Sequence, residues 1–233
     1  MSKSSKSEKF EENSASDGMG SKALAAVQGA LSWSYDAALN GLPGMGTLDE
    51  FTRDYYNGKP DVEDTVALER AIESLIAWQM GKAGTAGFIT GLGGMITLPA
   101  AIPANLAAVL YIQLRMIAAI AKLRGYDIHS DQVKSLCIAC LAGSAVSDIL
   151  KDVGIQLGTK LTQQAIMKIT GSTIVQINKS VGFRLITKSG STGILNLSKM
   201  VPFLGGIIGG TFDTLMTGQI ASASKAVFVT RHN

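Results

Sequence analysis

The sequence contains little of what most enzymes use for their chemistry. Two histidines and two cysteines occur among 233 residues, which leaves few ligands for a metal site and few partners for a histidine-based catalytic triad. Charged residues make up 17% and aromatic residues 6% of the chain. High apolar content excludes a disordered tail protein, and the scarcity of cysteine excludes a disulfide scaffold. We therefore expect no catalytic residues, no metal site and no cofactor.

The chain is instead rich in apolar residues, which make up 46% of it, and in glycine, which occurs 26 times. They are concentrated in residues 83–121, where Arg115 is the single charge. Glycines and two prolines interrupt the first half of this stretch, and an arginine near a bilayer centre costs about 2.5–3.5 kcal/mol. We therefore predict two buried core helices joined at 97–103. The alternative is an integral membrane protein with residues 83–121 and 201–221 inserted.

Helical periodicity dominates the chain, and alternating strand patterns are nearly absent, which predicts an all-α fold. Segments with apolar residues at helical spacing end at clusters of Gly, Pro or Asn. Besides the two core helices, the second of which ends at Gly125, we predict helices over residues 22–39, 48–56, 61–81, 131–145, 146–157, 159–170, 173–187, 194–200 and 201–228. Residues 22–233 then form a single multi-helix domain with glycine-rich, closely packed apolar helices.

The first 21 residues differ from the rest in composition. Residues 1–21 are rich in Ser, Lys, Glu and Asp, and they lack the apolar segment of a signal peptide. We expect a disordered polar tail over residues 1–21, and a protein located in the cytoplasm.

Charge is divided unevenly along the chain. Residues 1–114 contain 8 Lys/Arg and 13 Asp/Glu, whereas residues 115–233 contain 13 and 5. No acid lies between Asp152 and Asp213. Basic residues near an anionic bilayer contribute about 1 kcal/mol each, so this stretch predicts attachment to an anionic membrane surface. The alternative is a solvated basic face. The candidate lipid-facing residues are Lys160, Lys168, Lys179, Arg184, Lys188 and Lys199. Their wide spacing, without interleaved aromatic residues, disfavours nucleic acid.

Glycine pairs spaced four residues apart predict close helix contacts. The pairs involve Gly87 and Gly91 in one apolar segment, and Gly205, Gly206, Gly209 and Gly210 in another. We predict that these two glycine faces pack on each other. Neither segment contains a phosphate-loop signature. Cys137 and Cys140 have redox-motif spacing, but their position within an apolar helix predicts buried thiols.

Four polar residues are candidates for a structural or functional role. Arg115 in the apolar stretch requires a carboxylate partner or carbonyl acceptors. Asp213 is one candidate partner, and Asp148 and Asp131 are others. The turn from Asp127 to Asp131 is the candidate location for an effector or enzyme site that no motif identifies.

Motifs spread over residues 22–229 resemble the EcsC protein family. They include Leu39-Asn-Gly-Leu-Pro-Gly-Met-Gly46, the glycine-rich segment 87–94, Gln113-Leu-Arg115, Gly125-Tyr-Asp127, Val181-Gly-Phe-Arg-Leu185 and the segment 201–210. The resemblance implies a bacterial, helix-rich protein whose founding relative is encoded beside an ABC transporter and has no established catalytic role. It also implies a more distant likeness to helical modules of bacterial GTPases, which are often associated with membranes.

These observations together predict a non-enzymatic helical protein at the cytoplasmic face of the inner membrane. The expected partners are an anionic membrane surface and a membrane protein, with a link to transport or secretion implied by the family. The integral membrane protein and the unrecognised effector or enzyme remain the two alternatives. The oligomeric state is left open.

Overall fold

A computed structural model describes the backbone of residues 4–56, 65–83, 104–157, 161–187 and 208–229. Side chains are described for residues 21–56, 65–81, 107–157, 161–185 and 215–229. Within these ranges the chain forms nine α-helices and no strand, which confirms the all-α prediction. They are α1 (Ser4–Asn40), α2 (Leu48–Arg53), α3 (Thr65–Ala83), α4 (Ala104–Leu123), α5 (Asp131–Cys140), α6 (Val146–Asp152), α7 (Gln163–Met167), α8 (Gly171–Thr187) and α9 (Ile208–Val227).

Helix α4 forms the centre of the core. From Ala107 to Ala121 every residue except Val109 is buried, because helices α1, α3, α5 and α9 pack around it. Helix α1 contacts it most closely, and Ser34 donates a hydrogen bond to the carbonyl of Ala107 at 3.2 Å. Enclosure by other helices explains the apolar sequence of α4 without a bilayer.

The integral membrane alternative is therefore not supported for the described residues. None of the described helices combines the length and the apolar character needed to cross a bilayer. Within the second segment proposed for insertion, Thr217, Ile220 and Ala221 are buried in the protein core. The remaining parts of both segments, 84–103 and 201–207, lie outside the described residues.

Three helices pack side by side with directions fixed by polar contacts. Helix α3 runs antiparallel to α4, because Gln79 donates to the carbonyl of Ile112 while Glu69 pairs with Arg124. Helix α9 runs parallel to α4, because Gln113 donates to Thr217 at 2.9 Å while Arg124 donates to the carbonyl of Lys225 at 2.8 Å. The beginnings of α4 and α9 consequently lie at the same end as the end of α3.

Helix α8 packs against α1 and α5. Ile177 and Val181 are buried there, and Ser135 donates to Asn178 at 3.2 Å. Gly182 lies against α1, where a Cβ in its place would be 2.9 Å from Leu24 Cδ1. The stripe of Ile174, Ile177, Val181 and Leu185 is therefore the core-facing side of α8, as its helical spacing predicts.

Helix ends differ from the predicted ones where the backbone turns left-handed. The helix predicted over 131–145 is divided after Cys140 into α5 and a 3₁₀ turn (Gly143–Ala145), with Gly143 at φ +60°. The helix predicted over 146–157 ends at Asp152, because Gly154 adopts φ +80° and Ile155 N–H bonds back to the carbonyl of Leu150. The helix predicted over 159–170 is α7, only Gln163–Met167.

Helix α1 begins at Ser4, and only from Ser21 onward are its side chains described. This helical backbone covers residues 4–21, where the sequence predicts a disordered tail, and the division of the chain at residue 21 stays a prediction. The same holds for the helix predicted over 194–200, which lies outside the described residues.

Candidate functional site

The turn from Asp127 to Asp131 was one candidate for a reactive site. Asp127 is exposed, and its Oδ1 accepts the backbone N–H of His129 at 3.0 Å, which closes the turn. The hydroxyl of Ser130 donates to the carbonyl of Asp127 and accepts from Val133 N–H at the start of α5. Asp131 is exposed in the first turn of α5, the favoured position for an acid. These contacts give the turn a structural role.

Arg115 is buried, and backbone carbonyls surround its guanidinium group. Its Nη2 donates to the carbonyls of Gly46 at 2.6 Å and Thr47 at 3.3 Å, and its Nη1 donates to the carbonyl of Ala38 at 3.4 Å. Nη1 also donates to the Tyr111 hydroxyl at 3.0 Å. The guanidinium carbon lies 4.7 Å from the centre of the Phe51 ring.

Carbonyl acceptors, the second of the two predicted solutions, therefore satisfy Arg115. Among the described side chains it forms no ion pair, and the candidate partners Asp131 and Asp148 are both exposed. The pairing with Asp213 stays a prediction, because the side chain of Asp213 lies outside the described residues. Through these hydrogen bonds, Arg115 holds the loop between α1 and α2 in place.

That loop is built around glycines. Gly41 adopts φ +81°, and a Cβ there would collide with the carbonyl oxygens of Met45 and Gly46. Gly44 adopts φ +79° with open space around it. The following helix α2 begins with a capping box in which Thr47 and Glu50 each bond the backbone of the other. The loop carbonyls consequently point inward at Arg115.

Arg124 is a second buried cation, whose contacts were not predicted from the sequence. Both oxygens of Glu69 accept from its Nη2, at 2.6 and 2.9 Å, while Nη1 donates to the carbonyls of Lys225 and Phe228. Tyr126 next to it donates to the carbonyl of Val229 at 3.0 Å. A basic residue at the end of α4 is favourable for the helix dipole, and only tertiary contact reveals that Arg124 also caps α9.

The two thiols are buried, as their place in an apolar helix predicts. Burial raises the pKa of Cys140 to about 12, and burial also raises the pKa of Cys137 well above its usual value. Since the thiolate is the reactive form, neither residue is suited to redox chemistry in the folded protein. No group of residues that could hold a metal ion occurs among the described side chains.

A shallow, open groove along α3 is lined by Thr65, Val66, Glu69, Arg70, Glu73 and Ser74. Two of its acids are engaged elsewhere, since Glu69 pairs with Arg124 and Glu73 pairs with Lys225. The groove thus offers an open surface rather than an enclosed site for chemistry.

Most of the glycines predicted to pack against each other cannot be compared with the structure. Gly87, Gly91, Gly205 and Gly206 lie outside the described residues, and Gly209 and Gly210 lie in α9 before its described side chains. Their mutual packing stays a prediction. Close approach at a glycine is found instead at Gly182, against Leu24.

Three of the six candidate lipid-facing residues are described, and all three are exposed: Lys168, Lys179 and Arg184. Lys160, Lys188 and Lys199 lie outside the described residues. Three large apolar side chains are exposed in the same part of the chain, at 51% for Met167, 62% for Val175 and 63% for Phe183. We call five of these described residues the α8 surface: Met167, Lys168, Val175, Lys179 and Phe183.

The apolar members of the α8 surface were not predicted, although the sequence contains a signal for them. Val175 and Phe183 fall outside the helical stripe of Ile174, Ile177, Val181 and Leu185 that is assigned to the core. Single exposed apolar residues are common on protein surfaces, but Val175 and Phe183 flank the exposed Lys179, and this combination makes them candidate contacts.

Comparison with protein families gives one result. The model of the EcsC protein family matches residues 64–232, which include α3 to α9. The Leu39–Gly46 motif quoted for the resemblance precedes the matched residues. Searches of curated proteins and of solved structures find no match. Because the family model covers more than half of the chain, the protein belongs to the EcsC protein family.

Proposed function

We propose that this protein is a non-enzymatic, peripheral membrane protein that docks on an anionic phospholipid surface through the α8 surface. The observation that carries the proposal is the pairing of exposed cations with exposed apolar side chains on α8 and at the end of α7. Lys168 adjoins Met167, and Lys179 lies between Val175 and Phe183. Amphipathic surfaces of this composition bind the boundary between headgroups and acyl chains.

Charge supports an anionic rather than a neutral partner. Residues 153–212 contain six basic residues and no acid, so no carboxylate of this stretch repels anionic headgroups or neutralises the cations. Each cation near such a surface contributes about 1 kcal/mol, and salt weakens the attraction. Attachment would place the chain beside membrane proteins, in agreement with the expected link to transport or secretion.

Vesicle flotation with the full chain tests this proposal. Vesicles of phosphatidylcholine alone are compared with vesicles that also contain phosphatidylglycerol, at low and high salt. We expect binding to the anionic vesicles only, and weaker binding at high salt. Absence of binding to anionic vesicles at low salt would refute the proposal.

Charge variants locate the binding surface. The double variant Lys168→Gln/Lys179→Gln should bind anionic vesicles about thirtyfold more weakly, because two cations contribute about 2 kcal/mol. Arg184 is left unchanged because it takes part in an interaction within the protein. The control is Arg53→Gln/Arg70→Gln, which removes the same charge from exposed positions of α2 and α3. Equal weakening by both double variants would assign binding to net charge and not to the α8 surface.

A further inference from the structure

One side of α8 is buried in the protein and the other is exposed, and this restricts how the helix can contact a bilayer. Its continuous apolar stripe faces the core, where Ile177 and Val181 are buried. Contact between Gly182 and Leu24 fixes the helix closely against α1. The stripe that a freely inserting amphipathic helix would bury in lipid is therefore already occupied.

The outward side of α8 offers separate apolar side chains. Val175 and Phe183 lie eight residues apart, which is about 12 Å along the helix and about 80° around it. Lys179 lies midway between them, and the neighbouring outward positions Gln176 and Ser180 are polar and exposed. Single side chains flanked by polar groups reach hydrocarbon most easily where the headgroups are separated.

We propose that Val175 and Phe183 enter packing defects of an anionic bilayer, so that the protein selects membranes that are both anionic and loosely packed. This inference rests on the proposed function and names the kind of membrane it requires. Cations hold the surface against headgroup phosphates, and the apolar side chains add affinity only where acyl chains are accessible. Tightly packed anionic membranes then bind the protein weakly through charge alone.

Vesicles of two sizes distinguish the effect of lipid packing on binding from the effect of lipid charge. Small and large vesicles made from one mixture of phosphatidylcholine and phosphatidylglycerol have the same composition. Strong curvature opens gaps between the headgroups of the small vesicles. We expect the full chain to bind the small vesicles at least about tenfold more tightly, the amount expected when one or two apolar side chains are buried.

The variant Val175→Ser/Phe183→Ser should lose this preference for small vesicles and keep its salt-sensitive binding to anionic lipid. The matched control is Val66→Ser/Leu215→Ser, which changes two side chains of equal exposure, 63% and 67%, on α3 and α9. This control should keep the preference. Thermal unfolding of each variant confirms that these exposed changes leave the fold intact.

The possible failures are distinguishable. Equal binding to small and large anionic vesicles would overturn the packing inference and leave the proposed function standing. Loss of the size preference in both serine variants would overturn the assignment to Val175 and Phe183. Absence of binding to any anionic vesicle would overturn the proposed function together with this inference.

Discussion

Arg115 on α4 and Lys179 on α8 carry the same charge in opposite surroundings. Arg115 is 7% exposed, and its guanidinium group is bonded to three backbone carbonyls and one hydroxyl. Lys179 is exposed on the outward side of its helix, between two exposed apolar side chains. The difference teaches that burial commits Arg115 to contacts within the protein, whereas exposure leaves Lys179 accessible from outside.

The two regions around these residues follow the same division. On the enclosed side, polar groups of α4 and of Arg124 just after it bond to groups far away in sequence, such as Glu69 and the carbonyl of Phe228. On the open side, α8 keeps its polar and apolar outward groups accessible. Changes on the enclosed side should therefore alter stability, and changes on the open side should alter binding alone.

The largest expected effect comes from Arg115→Met. Removing the guanidinium group leaves several buried carbonyls without a donor, so the free energy of unfolding should fall by about 3 kcal/mol or more. Lys179→Met is the matched comparison and should stay within about 0.5 kcal/mol of the parent protein while weakening vesicle binding. Urea denaturation measures both values. A loss below about 1 kcal/mol for Arg115→Met would contradict the holding role.

A second effect on the enclosed side comes from the loop that Arg115 holds. Gly41→Ala should lower the free energy of unfolding by about 2–3 kcal/mol, because its Cβ would combine left-handed strain with a clash against backbone carbonyls. Gly44→Ala has the same backbone strain with open space around it, so about 1 kcal/mol is expected. Denaturant titration compares them, and equal losses would show that strain alone matters here.

The enclosed thiols have no expected effect at neutral pH, and they make stability depend on pH only in alkaline solution. The folded protein keeps the proton on Cys140, whose pKa is raised to about 12 by burial, whereas the unfolded chain releases it near the ordinary value of 9.0. The folded state then binds more protons, so its stability falls as the pH rises above that value, by about 1.4 kcal/mol per pH unit for each such thiol. Thermal unfolding at increasing pH measures the slope.

The variant Cys137→Ala/Cys140→Ala is the control for this pH effect, and its slope should be shallower. Thiol-specific reagents provide an independent measurement, because buried thiols of the native protein should react only after unfolding. Rapid labelling of the folded protein at neutral pH would show that these thiols are accessible to solvent, and it would contradict their burial.

The sequence predicted the elements of the fold well where local chemistry determines them. Gly125 was predicted to end α4 and adopts φ +79°, and α5 begins at Asp131 as predicted, where the Ser130 side chain accepts the N–H of Val133. The burial of residues 107–121 followed from their apolar character. Capping and periodicity depend on neighbours along the chain, and the sequence displays those neighbours directly.

The sequence could not predict contacts between distant residues. Arg115 was expected to have either a carboxylate or carbonyl partners, and only the folded chain shows that the carbonyls of 38–47 are within its reach. Arg124 looked like an ordinary basic residue at a helix end. For the candidate surface, charge alone identified Lys168 and Lys179, while the exposure of Val175 and Phe183 became known only with the core side of α8.

The bonds of Arg124 also have a consequence for the order in which the protein folds. Its acceptors on Lys225 and Phe228 lie 101 and 104 residues further along the chain. During synthesis, α3 and α4 are complete long before these carbonyls exist. The guanidinium group of Arg124 therefore lacks two of its acceptors until α9 has been made. Contacts over such long separations slow folding, and we expect this bundle to close only after its final helix has left the ribosome.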